Sequence, residues 1–83
     1  EGARLRILQQ LQRNLNDTVE GLASTIGLAQ ATISQHLSEI KKVGLLRGNF
    51  QGRNLCYCID TDRWNEIQGL FGSFFTRISS QCC

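Results

Sequence analysis

The sequence predicts a mainly α-helical fold with one small β-hairpin. Hydrophobic residues recur at steps of three and four before residue 44 and again after residue 61, which is the spacing of amphipathic helices. Between these two regions, two strand-like segments flank the turn Gln51-Gly52, a pattern typical of a hairpin. The chain has 83 residues, so these elements are expected to form a single domain over residues 1–83.

The first predicted helix covers residues 3–14, where the apolar stripe is expected to consist of Leu5, Leu8, Leu11 and Leu15, with Ile7 beside it. Thr18 is placed to cap a second helix from Val19 to Ile26, because a threonine hydroxyl accepts hydrogen bonds from the free N–H groups of a first turn. Gly27 is expected to end that helix.

The third predicted helix covers residues 30–43 and is closed by Gly44 as its C-terminal cap. Two helices joined by a short glycine-containing turn form a helix-turn-helix unit, here over about residues 18–43. If Ile33, Leu37 and Ile40 face inward, the outward residues are Ala31, Thr32, Ser34, Gln35, Ser38 and Lys42. Such side chains suit base edges in a major groove, but a solvated surface helix rich in Gln and Ser fits the same composition.

The predicted hairpin, over about residues 45–60, follows this helix directly and carries Arg47 and Arg53 on either side of its tip. A basic hairpin in this position can reach the DNA backbone beside the helix. A helix-turn-helix unit followed by a basic hairpin predicts a winged helix-turn-helix fold.

The last predicted helix runs over about residues 62–81. Its aromatic and aliphatic stripe is wider than a small domain can cover alone, so part of it is expected to pack against a second copy in a two-fold dimer. The predicted dimer interface consists of Trp64, Ile67, Phe71, Phe74 and Ile78.

The charge distribution agrees with a polyanionic partner. The net charge is only +2, yet residues 30–59 contain four basic residues and one acidic residue. A surplus this small also fits ordinary solvated surface. The sequence has no apolar run long enough to span a membrane and no signal-peptide pattern, which predicts a cytoplasmic protein.

The sequence resembles the ArsR/SmtB family of bacterial and archaeal winged-helix repressors, which are dimers and often sense metals or metalloids. The resemblance covers residues 4 to about 60 and is carried by Arg4-Leu5-Arg6-Ile7-Leu8, by Gly27 to Leu37, by Lys42-Val43-Gly44-Leu45-Leu46 and by Gly52-Arg53 with Tyr57. Family members have a further helix before the first one found here, so the resemblance implies that residues precede Glu1.

The resemblance implies a set of DNA contacts, position by position. The major groove would be met by Gln30, Thr32, Ser34, Gln35 and His36, phosphates by Lys41 and Lys42, and the wing contacts would be made by Arg47, Arg53 and Asn54. On the helical wheel, His36 lies at the edge of the buried stripe and equally fits a core or a surface position. Ala29 stands where the family has a capping serine and Ala31 where it often has proline, which weakens the start signal of the third helix.

Four cysteines form two pairs, Cys56/Cys58 and Cys82/Cys83. Two of the family's sensing sites have no counterpart, because Thr18 and Glu20 occupy the positions of its Cys-X-Cys site and the last helix lacks the histidine of its zinc site. Cys82 and Cys83 are the first candidate ligands for As(III) or another thiophilic metal ion acting as inducer, since such ions favour thiolates. Cys56 and Cys58 are weaker candidates, because residues two apart in a strand are separated by about 6.6 Å.

Other roles for the thiols remain open: both pairs can pack as small apolar side chains, or Cys82 can form a disulfide with its two-fold mate. The predicted function is a homodimeric, sequence-specific DNA-binding repressor that recognises an inverted repeat. The alternative is a winged-helix module that binds proteins and senses no ligand. A thiol enzyme is poorly supported, because the sequence shows neither a Cys–His–acid arrangement nor a glycine-rich phosphate loop.

Overall fold

The computed structural model describes residues 2–78. Seven elements follow one another: α1 (Ala3–Asn14), β1 (Asp17–Thr18), α2 (Val19–Ile26), α3 (Gln30–Lys42), β2 (Leu46–Gln51), β3 (Asn54–Ile59) and α4 (Thr61–Phe75). The strands form an antiparallel sheet in the order β1-β3-β2. The prediction of a mainly α-helical, winged helix-turn-helix fold is confirmed.

Local chemistry sets the ends of α2. The Thr18 hydroxyl accepts a hydrogen bond of 3.0 Å from the N–H of Gly21 and so caps the first turn. At the other end, Gly27 has φ +84°, and its N–H donates to the carbonyl of Ala23. This left-handed conformation suits glycine and directs the chain into the turn before α3.

The core lies where α1, α2, α3 and the base of the sheet meet. Its most completely buried side chains are Ile7, Leu11, Leu22, Ile33 and Leu37. The predicted inward stripe of α3 is buried, and Leu46 adds the contribution of β2.

The predicted stripe of α1 is only partly correct. The buried residues are Ala3, Ile7 and Leu11, whereas Leu5 is 61% exposed and Leu15 is 78% exposed. The three buried residues are spaced four apart and therefore lie on one side of the helix. Leu5 lies about 160° around the helix from Ile7 and so points away from that side. Leu15 lies beyond the last turn at φ 64°, so its side chain leaves the helical face.

The sequence did not predict strand β1. It has two residues, Asp17 paired with Tyr57 and Thr18 paired with Cys56. Since Thr18 also caps α2, the chain passes from the sheet into the helix at one residue. The wing is thereby attached along one edge to the start of the helix-turn-helix unit.

Helix α4 ends earlier than predicted. It ends at Phe75 instead of residue 81, and Thr76 and Arg77 form a turn in which the Arg77 N–H donates to the Phe74 carbonyl. The Thr76 hydroxyl donates to the Ser73 carbonyl, and such tight local bonds commonly close a last turn. Residues 79–81 of the predicted helix lie outside the described part of the chain.

The fold extends along α4. None of its residues is buried, and the described chain measures 57 × 26 × 21 Å. Among the described helices, none has the length and apolarity needed to cross a membrane.

Candidate DNA-binding surface

The outer face of α3 is a polar surface without a charged residue in its first two turns. Gln30, Thr32, Ser34 and Gln35 are all exposed, on a helix whose opposite side is buried in the core. Because the core holds Ile33 and Leu37, the backbone beneath these polar side chains is fixed. The surface is therefore a rigid array of short hydrogen-bonding groups, the kind that contacts base edges.

His36 differs from these neighbours. It is half-buried, and its Nδ1 accepts a hydrogen bond of 3.2 Å from Nε of Arg4 on α1. With Nδ1 as an acceptor, a neutral ring carries its proton on Nε2, so only that nitrogen remains for a further partner. The structure thus places His36 at the margin of the polar surface, held toward the first helix.

The two lysines at the end of α3 have different surroundings. The Lys42 ammonium lies 3.2 Å from Glu39 Oε1, in an exposed pair. The Lys41 ammonium lies over β2, 3.7 Å from the point where a Cβ on Gly48 would be. Lys41 therefore occupies the junction between the helix and the wing, in space that the missing side chain of Gly48 leaves open.

The wing carries its polar residues away from the core. Arg47, Arg53 and Asn54 are exposed, and Gly52 makes the turn between the strands with φ +64°. Arg47 lies opposite Cys58 in the strand register. The predicted basic residues thus lie on the end of α3 and on the wing that follows it, but strand alternation directs Arg47 to the face of β2 opposite Gly48 and Lys41.

One residue of the wing was not singled out from the sequence. Phe50 lies two residues after Gly48 and four after Leu46 in β2 and so shares their face, yet it is 75% exposed because the strand has passed the end of the core. Its cross-strand neighbour is Leu55. An aromatic side chain therefore lies near the wing tip, three residues before Arg53.

The family model for the bacterial regulatory proteins of the arsR family matches residues 1–47, which is more than half of the chain and includes the whole helix-turn-helix unit. The chain belongs to the ArsR family. Members of this family are transcription regulators, and the winged helix-turn-helix of this ArsR protein is that of a DNA-binding regulator.

Solved structures agree with this assignment. A possible transcriptional regulator for arsenical resistance is 32% identical, with 90% of this chain and 77% of that chain covered and a TM-score of 0.78. The antimony-specific transcriptional repressor AntR is 25% identical, with coverage of 92% and 69% and a TM-score of 0.66. No curated protein is significantly similar to the chain in sequence.

A third structure is similar in fold. The homodimeric winged helix-turn-helix DNA-binding domain Mb0332 from Mycobacterium bovis is 24% identical over 100% of this chain and 77% of that chain, with a TM-score of 0.72.

In this ArsR-family chain, the stripe predicted for the dimer interface divides into two parts. Trp64 and Ile67 are half-buried and line a groove of about 380 Å³ with Leu8 and Leu45, between α1 and α4. Further along, the apolar side chains are exposed, and Phe74 packs edge-on against Phe75 at 5.3 Å between ring centres. The exposed set is Leu70, Phe71, Phe74, Phe75 and Ile78.

The described thiols of this ArsR-family chain lie in the wing. Cys56 is 7% exposed, although strand alternation places it on the face opposite Leu55 and Tyr57. Cys58 is half-buried, and its sulfur accepts a weak hydrogen bond of 3.9 Å from the Asn49 amide. Within residues 2–78, no group of three or more Cys, His, Asp or Glu side chains is arranged to hold a metal ion. Cys82 and Cys83 lie outside the described residues.

Proposed function

We propose that this chain acts as a two-fold dimer that binds an inverted repeat in DNA, with α3 of each protomer in the major groove and the wing on the flanking backbone. The observation that supports this proposal is the exposed, uncharged polar array on α3, together with Lys41 and Lys42 at the end of that helix, where the Lys41 ammonium lies against Gly48 of the wing. The function is regulation of transcription in the cytoplasm of a prokaryote, without catalysis.

The residues divide by the part of DNA that they can contact. Gln30, Thr32, Ser34 and Gln35 would contact base edges, and glutamine suits adenine because its amide can donate and accept at once. His36 would contact DNA through Nε2 at the edge of the helix. Lys41, Lys42, Arg47, Arg53 and Asn54 would contact the backbone, which sets position and gives affinity that depends on salt.

The dimer would form through the aromatic end of α4. Five large apolar side chains are exposed there, and a surface of this kind on a small domain is typical of a subunit interface. The homodimeric relative supports the same assembly through its fold. To read both half-sites of an inverted repeat, the two copies of α3 in the dimer would have to lie about one helical turn of DNA apart, roughly 34–36 Å.

A thiophilic inducer is the second part of the proposal. Two similar structures are those of a possible regulator for arsenical resistance and an antimony-specific repressor. As(III) or a related ion bound by Cys82 and Cys83, which follow α4 in the sequence, would favour one dimer arrangement. DNA would be released if the distance between the two copies of α3 in that arrangement no longer matched the spacing of the half-sites. Cys56 and Cys58 are the weaker ligand set, because no third ligand lies with them among the described residues.

The binding experiment begins with selection of a duplex from a random pool by the wild-type protein. Affinity for the selected duplex is then measured by fluorescence anisotropy at several salt concentrations. We expect an inverted repeat and a steep loss of affinity with salt, because bound phosphates release counterions. Arg53→Ala should weaken binding and lower the salt slope by about one, whereas Arg13→Ala, an exposed arginine on α1, is the charge-matched control.

Failure to enrich any duplex would support the alternative, a winged helix that binds proteins. The dimer is tested separately by sedimentation: Phe74→Glu should produce monomers, because it places a charge within the apolar interface. Leu5→Glu adds the same charge at another exposed apolar position and should leave the dimer intact. A dimeric Phe74→Glu protein would place the interface elsewhere.

A further inference from the structure

The end of α3 and the start of α4 are joined by a closed set of hydrogen bonds. The Asp60 N–H donates to the Leu45 carbonyl at 2.8 Å. This bond joins the residue after β3 to the short segment between α3 and β2. The Asp60 carboxylate in turn accepts the Arg63 N–H at 3.1 Å and caps α4. The start of α4 is therefore fixed close to the C-terminus of α3 by one backbone hydrogen bond and one side-chain cap.

The side chain of Arg63 adds a direct link between the two helices. Its Nε donates a hydrogen bond of 3.2 Å to the carbonyl of Val43, the C-terminal cap residue of α3. Its Nη1 forms an ion pair with Glu66, one turn further along α4. A guanidinium is planar and has donors in fixed directions, so holding one edge against Glu66 orients the other toward Val43.

Gly44 makes this approach possible. It has φ +85°, a conformation that glycine adopts easily, and a Cβ at this position would lie 3.3 Å from both Cγ and Nε of Arg63. The glycine thus serves the turn after α3 and also leaves space for the arginine. The positive charge meets the carbonyl end of a helix, where it is favourable.

The link matters because α4 has few other attachments. None of its residues is buried, and beyond its first two turns it extends away from the core with exposed aromatic side chains. Its orientation relative to α3 therefore depends strongly on the junction at Asp60 and Arg63 and on the half-buried Trp64 and Ile67.

The geometry points to Arg63 as a positioning residue that fixes the angle between the dimer helix and the DNA-binding helix. This inference rests on the proposed function, because the angle determines how two copies of α3 are spaced across a dimer formed by α4. A rearrangement of the dimer helices would be transmitted to α3 in part through the bond from Arg63 to Val43. A direct contact of Arg63 with phosphate is the alternative, and it would affect specific and non-specific binding alike.

Two substitutions separate positioning from charge. Arg63→Lys keeps the charge but cannot hold Glu66 and Val43 in the same fixed geometry, so the selected duplex should bind roughly five- to tenfold more weakly, the range expected for the loss of one typical hydrogen bond. Glu66→Ala removes a negative charge, so simple electrostatics predicts tighter binding. If Arg63 acts as a positioning residue, Glu66→Ala should instead bind the selected duplex more weakly, because Arg63 loses the partner that orients it.

A mixed-sequence duplex provides the second measurement. Non-specific binding depends on phosphate charges and not on the spacing of the two reading helices. We therefore expect the affinity of Arg63→Lys for this duplex, and its salt slope, to equal those of wild type. Thermal melting accompanies each measurement, and Arg13→Lys serves as the control for exchanging arginine for lysine on the surface.

A third measurement needs no DNA. Residual dipolar couplings of the amides in α3 and α4 report the angle between the helices, which should change or broaden in Arg63→Lys and Glu66→Ala while couplings within α1–α3 stay constant. Unchanged angles in both variants would overturn the inference, as would equal losses on both duplexes, which would make Arg63 a phosphate contact. If wild type selects no duplex, the proposed function fails while the angle measurement still decides the role of Arg63.

Discussion

The Nε atom of Arg4 lies 3.2 Å from Nδ1 of His36, so the first helix holds a side chain of α3 across 32 positions of sequence. This contact distinguishes His36 from Gln35, whose side chain is exposed on the outer face of α3. The two neighbours should therefore contribute differently to DNA binding.

Gln35→Ala should weaken binding of the selected duplex by about 1–3 kcal/mol, the range for a good base contact, and should relax the preference at one base pair. His36→Ala should cost less, since one ring nitrogen already has a protein partner. Anisotropy titrations on the selected duplex and its single-base variants measure both effects. A His36→Ala loss equal to that of Gln35→Ala would show that His36 contacts a base directly.

Glu39→Gln should strengthen DNA binding. Glu39 pairs with Lys42 at 3.2 Å on an exposed part of α3, so the substitution removes a negative charge beside the DNA and frees the lysine for phosphate. We expect an increase of about two- to fivefold at low salt that decreases as salt is added, because exposed charges are screened. Glu20→Gln, the same change on the exposed side of α2, is the control, and equal gains in both would point to net charge alone.

Leu37→Ala should destabilise the domain by about 2–5 kcal/mol, because the side chain is fully buried between the helices and its removal leaves a cavity. Leu5→Ala should change the free energy of unfolding by less than about 0.5 kcal/mol, because the side chain is 61% exposed. Urea denaturation followed by circular dichroism measures both. A large loss of stability in Leu5→Ala would mean that this residue is covered in the dimer. In that case the loss would change with protein concentration.

Arsenite should release the wild-type protein from the selected duplex if the proposed inducer is correct. The response should be lost in Cys82→Ser/Cys83→Ser and kept in Cys56→Ser/Cys58→Ser, because Cys56 is nearly buried and Cys58 accepts a hydrogen bond from Asn49. Anisotropy with and without arsenite, in the presence of a non-thiol reductant, provides the measurement. The opposite pattern would move the sensing thiols to the wing, and no response in the wild type would remove arsenite as an inducer.

Helix positions could be predicted from the sequence because local chemistry determines them. Thr18 caps α2, Gly27 ends it with a positive φ, and the period of Ile33, Leu37 and Ile40 defines the buried face of α3. These signals lie within a few residues of the structure that they specify. The expected polar surface on α3 followed from the same periodicity.

Other features depend on contacts between distant residues. Strand β1 is too short for any periodicity and exists because β3 pairs with it. The bonds from Arg4 to His36 and from Arg63 to Val43 join residues 32 and 20 positions apart, and both arginines resemble ordinary surface residues in the sequence. The exposure of Leu5 likewise depends on where α2 and α3 pack against α1, which the stripe of leucines did not reveal.

Thr18 belongs to the sheet and to α2 at once, since it pairs with Cys56 in β3 and its hydroxyl caps the helix. The wing and the helix-turn-helix unit therefore share a residue and are not independent modules. A hairpin transplanted from another regulator in place of residues 46–59 would have to offer an edge that Asp17 and Thr18 can pair with. Without that edge, the exchange would loosen the start of α2 as well as the wing.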